Sequence, residues 1–147
     1  MSSLRIRFIG DVDERLRPEV MFFARWVRAW YSFPNPFVIR LVHQPFVTDI
    51  DGVMCALHWW QTSRGHQGVV AEIAVESFSV NYEREGNTVA FPTVMFAIGR
   101  VIKYYLQTTS DSPIRNDLAK KWGDKLLDAY IEGGVPPYSI NRVKKRG

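Results

Sequence analysis

The sequence predicts an α+β fold, a mostly antiparallel four-stranded sheet covered by three main helices. Three observations lead there. Apolar residues alternate in one short run, three further short runs are rich in Val, Ile, Phe or Trp, and three longer ones carry apolar residues at spacings of three and four. The order is strand, helix, three strands, two helices, which segregates most of the helices from the strands. The links between the middle strands are short, whereas a parallel crossover needs a dozen or more connecting residues.

Each element has its own justification. In residues 4–10, Leu4, Ile6 and Phe8 alternate with Arg5 and Arg7, the period of a half-buried strand. From about Leu16 to Tyr31, Val20, Phe23, Val27 and Trp30 mark one face of an amphipathic helix. Pro18 suits its first turn, and Pro34 and Pro36 stop it. The runs Phe37–His43, Val53–Trp60 and Val69–Val75 are rich in Val, Ile, Phe or Trp and are bounded by turn residues. A strongly apolar helix follows from about Pro92 to Gln107, with Val94, Ile98, Val101 and Tyr105 on one face. The last helix, from about Pro113 to Glu132, places Leu118, Trp122, Leu126 and Tyr130 four apart, and Gly133, Gly134, Pro136 and Pro137 end it.

Composition frames these elements. With 147 residues, 46% hydrophobic and 23% charged, the expectation is one domain over residues 1–134 and a basic tail over 135–147. No apolar run approaches the ~18 residues of a membrane span, and the charged first twenty residues do not resemble a signal peptide. The single cysteine, Cys55, excludes an internal disulfide and a multi-thiolate metal site. A cytoplasmic protein is expected. The net charge of +4 owes much to Arg142, Lys144, Lys145 and Arg146, a solvated terminus or a phosphate-binding tail.

The usual signatures of catalysis are missing. His43, His58 and His66 lie in separate segments without an i, i+4 partner. His58 alternates with Trp59, which sets it beside Ala56 and Trp60 as a half-buried strand histidine. Glu72 and Glu76 share a strand face, as a solvated surface or an ion-pair site. No G-x-S-x-G elbow occurs, and Gly65-His66-Gln67-Gly68 is too short for a phosphate loop. Trp59 and Trp60 point to opposite faces, so one packs under the helices while the other is exposed, covered by a loop or at an interface.

Several phrases resemble the small zincin-like family, minimal metallopeptidase relatives of bacteria and their phages. They are Trp30-Tyr31-Ser32-Phe33-Pro34, Asn116-Asp117-Leu118-Ala119, Trp122-Gly123 and Leu126-Leu127-Asp128-Ala129-Tyr130, and the likeness covers roughly residues 4–132. In that family two histidines four apart on one helix grip zinc, a glutamate activates the bound water, and the next helix supplies a third ligand. Aligned on Tyr104-Tyr105, the histidine positions fall on Gly99 and Lys103, the base on Arg100 and the third ligand on Asn116. Glycine has no ligand atom, a protonated lysine repels a cation, and arginine is no base at neutral pH. Residues 88–125 contain no His and no Glu, so a shifted alignment restores nothing.

The resemblance thus implies a pseudo-metallopeptidase with no metal, cofactor or catalytic residue. The pocket positions would be filled by Lys103 pairing with Asp117 or Asn116, or would form a cationic cleft of Arg100, Lys103 and Tyr104. The first functional expectation is a macromolecule-binding protein with a protein partner, self-association included, in a phage-encoded accessory or inhibitory setting that the family suggests. The second is nucleic-acid binding through the tail, Trp60 and Arg64. The third is a hydrolase with an unrecognised site.

Overall fold

The alternation at the start of the chain becomes strand β1, Leu4–Ile9, and the amphipathic stretch after it becomes helix α1, Leu16–Trp30. Val20, Phe23, Ala24 and Val27 are its buried face. The helix stops at Tyr31, whose backbone is extended, ahead of Pro34 and Pro36, which cannot continue a helix. Strand β2, Phe37–Val42, then returns beside β1 in parallel, with Leu4 opposite Phe37 and Ile9 opposite Val42. The computed structural model describes residues 4–12, 14–62, 68–75, 90–108 and 116–137, the side chains of 90–93, 108 and 116 excepted.

Beyond β2 come a two-stranded hairpin, β3 (Val47–Thr48) and β4 (Met54–Cys55), then β5 (Leu57–Gln61) and β6 (Val69–Ala74). Two long helices follow, α2 (Ala90–Thr108) and α3 (Asn116–Glu132). The main sheet runs β1-β2-β6-β5. Its β1–β2 and β2–β6 pairs are parallel, and only β5–β6 is antiparallel. The expected antiparallel sheet is therefore corrected to a mixed, mostly parallel one. Short links constrain only consecutive strands, and β2 pairs instead with β6, across residues 43–68, ample length for a crossover.

Period two sorts the sheet into two faces. Ile6, Ile39, Ala71 and Trp59 stand in one row, and Phe8, Leu41, Ile73 and Leu57 in the next. These rows meet the helices: Trp59 stacks on Tyr104 of α2 at 4.8 Å, and Phe37 on Tyr105 at 4.8 Å. The Tyr105 hydroxyl accepts from the Asn35 N–H at 2.8 Å and donates to the Asn35 carbonyl at 3.0 Å, which ties α2 to the turn before β2. Tyr130 on α3 meets Phe23 and Trp26 edge-on, joining α3 to α1. The result is one core between the sheet and the helical layer.

On α3, Leu118 is 40% exposed, against expectation, and Ala119, Trp122, Leu126 and Ala129 form the buried line. A step of four overshoots the helical turn by about 40°, so a strict four-residue stripe rotates away from the core. No helix among the described residues is long and apolar enough to cross a membrane.

Candidate functional site

Two regions concern function: the α2–α3 junction, where the zincin-like alignment puts its ligands, and the sheet face away from the helices. At the junction Gly99 sits against Gly123. A Cβ at Gly99 would lie 3.2 Å from the Gly123 Cα and 3.5 Å from the Leu126 Cδ2. A Cβ at Gly123 would lie 3.3 Å from both the Arg100 nitrogen and the Phe96 carbonyl oxygen. The two glycines explain each other, because they let the backbones of α2 and α3 approach closely.

The neighbouring side chains are consumed by packing. Lys103 places its ammonium 5.4 Å from the centre of the Trp122 ring, and desolvation by burial lowers its pKa below the ordinary lysine value. Trp122 also packs on Tyr31, with ring centres 5.5 Å apart. Arg100 donates from Nη2 to the Tyr104 hydroxyl at 3.4 Å. Its Nε is buried without a partner among the described residues, as is Trp122 Nε1. Tyr104 is buried under Trp59. Asn116 opens α3, and its side chain lies outside the described residues.

Of the three residues expected to form a cationic cleft, Arg100 and Tyr104 are joined by a hydrogen bond, and Lys103 lies against Trp122. Lys103 and the Arg100 stem meet α3, while Tyr104 stacks on Trp59 of β5. Among the described residues, no group of three His, Cys, Asp or Glu side chains stands close enough to hold a metal ion. Arg64, His66, Glu76 and the tail residues Arg142, Lys144, Lys145 and Arg146 lie outside the described residues.

The other sheet face is exposed at Arg5 and Arg7 and half-buried along the rest of two rows that the register assembles on it. Arg7, Arg40, Glu72 and His58 stand side by side across all four strands. Arg5, Val38, Val70 and Trp60 form the adjacent row. Arg40 Nη1 pairs with Glu72 Oε2 at 3.2 Å, realising the ion-pair role expected of Glu72. His58 stacks on Trp60 at 5.2 Å with planes 19° apart, so Trp60 faces away from the helices as Trp59 faces toward them.

Two clefts open on this face. One, of about 580 Å³, is lined by Arg7, Phe8, Ile9, Val38, Arg40 and Val70. The other, of about 400 Å³, has His58, Trp60, Gln61 and Glu72 on its sheet side and Thr48, Asp49 and Ile50 on its hairpin side. The hairpin turn is fixed by Asp49, whose Oδ1 accepts from the Asp51 and Val53 N–H groups at 2.9 Å each. Phe46, Ile50, Val53 and Met54 stand exposed around it.

The sequence pointed to Trp60 on this face but not to Arg40 or to the combined rows. The signal existed, since Arg40 alternates with Ile39 and Leu41 as Arg7 does with Ile6 and Phe8. Bringing them side by side required the parallel β1–β2 register. Comparison with protein families, characterised proteins and solved structures gave no match.

Proposed function

We propose that this chain is a non-catalytic binding protein on a zincin-like scaffold that holds no metal. The observation that carries this reading is the contact of Gly99 with Gly123. A histidine at position 99 would bring its Cβ to 3.2 Å from the Gly123 Cα, tighter than ordinary contact, so the helices are spaced for glycine rather than for a ligand. Position 103, the other histidine position, faces the same helix, and its lysine lies against Trp122. An ammonium held in that place opposes a second cation. The polar groups of the junction serve packing, and the sheet face away from the helices, with its two clefts and exposed hairpin, offers a surface to a partner.

The test is zinc content. The full chain, equilibrated with excess zinc and freed of unbound metal, is expected to retain no stoichiometric zinc by elemental analysis and to show no chelator-sensitive peptidase turnover. One tightly held zinc per chain, lost in the Lys103→Ala variant, would overturn the reading.

A further inference from the structure

We propose that the open sheet face binds single-stranded nucleic acid, with Arg5 and Arg7 taking backbone phosphates and Trp60 stacking a base. Three observations meet on that surface. The first is charge. The two rows hold three guanidinium groups, Arg5, Arg7 and Arg40, and a single carboxylate, Glu72. That carboxylate is already engaged by Arg40, so Arg5 and Arg7, both exposed, give the face its net positive sign. The complementary partner is a polyanion. Asp49, on the hairpin rim, has one carboxylate oxygen tied to two backbone N–H groups of its own turn.

The second observation is stacking. Trp60 and His58 lie nearly parallel on the same face, and Trp60 stands in register with Val70 and Val38. A ring platform over an apolar strip accepts the flat face of an unpaired base whatever its identity. A duplex buries its base faces, so the platform selects a single strand. The third observation is reach. Arg7 and His58 are three strand spacings apart, about 14 Å, with a cleft at either end of that row. A short stretch of one strand can therefore touch the arginines and the stacked pair together. An acidic protein would satisfy the arginines but would give the Trp60–His58 pair no ring to stack on.

The inference rests on the chain being a binding protein, not on its metal content. Zinc analysis and oligonucleotide titration therefore fail independently. The test uses the full chain and a fluorescein-labelled oligothymidine of about a dozen nucleotides, read by anisotropy. Binding is expected to weaken steeply with salt. Trp60→Ala should weaken it about tenfold or more, and Trp60→Phe should restore most of the loss. Arg7→Ala should lower the steepness of the log-affinity against log-salt plot by about 0.7. Replacing Arg142, Lys144, Lys145 and Arg146 together by alanine should leave the Trp60 dependence in place. Thermal melts of each variant check the fold. Absence of binding, or binding indifferent to both Trp60→Ala and Arg7→Ala, would overturn the proposal. So would displacement of the oligonucleotide by polyglutamate with a potency that Trp60→Ala does not change.

Discussion

At the α2–α3 junction a half-buried lysine lies 5.4 Å from a tryptophan ring, and two glycines bring the helix backbones together. On the open sheet face, Arg7 is exposed, Arg40 is 40% exposed and pairs with Glu72, and a tryptophan stacks on a histidine at the edge of a cleft. Both regions combine cations with aromatic rings. They differ in what surrounds them. At the junction the Trp122 ring packs on Tyr31 and beside the half-buried cation, so substitution there should register as stability. On the sheet face Arg5 and Arg7 are exposed, and Arg40, His58 and Trp60 are half-buried, so substitution should register as binding.

The largest contrast comes from overpacking. Gly123→Val should destabilise the chain by about 2–3 kcal/mol in urea unfolding, because the added groups meet the Arg100 nitrogen and the Phe96 carbonyl. A neutral result would mean that α3 can move away and that the junction is looser than described.

Lys103 offers a pH signature. Its folded-state pKa is below the unfolded value near 10.5, so the unfolded chain binds its proton more firmly. The destabilising contribution is therefore fully present below the folded pKa. It is relieved as pH rises through that value toward 10.5. The stability difference between Lys103→Met and the parent should shift in favour of the parent across that window. Comparing the two chains also cancels the tyrosines: Tyr105 and Tyr130, raised above their ordinary value chiefly by burial, contribute stability that is lost at high pH in both. A pH-independent difference would place Lys103 in solvent.

The smallest effect belongs to the sheet face. Arg40→Ala should change stability by about 1 kcal/mol or less, since its pair with Glu72 is partly open to water. A loss several times larger would make this face part of the structural core and remove the contrast between the two regions.

Much of the element order was legible because each element carried its own periodicity. The pattern Val20, Phe23, Val27 could bury only as a helix, and Leu4, Ile6, Phe8 only as a strand. Pairing was not legible, because nothing local in Phe37–Val42 distinguishes β6 from β5 as a neighbour. That gap hid the row of Arg7, Arg40, Glu72 and His58, whose members come from four separate segments. In the sequence Gly99 stood only as a position without a ligand atom. Its partner, Gly123, lies on another helix, and only the tertiary contact identifies it.

The central claim is that position 99 is sealed by α3 rather than open as a vacated ligand position. Urea unfolding of Gly99→Ala tests it most directly, because the two alternatives predict opposite signs. A mid-helix glycine facing open space gains about 1 kcal/mol on conversion to alanine. Here the new methyl group would meet the Gly123 Cα at 3.2 Å, a backbone atom held in place by Trp122 and Leu126 packing on either side. The account predicts a loss of stability. A gain of about 1 kcal/mol would contradict it.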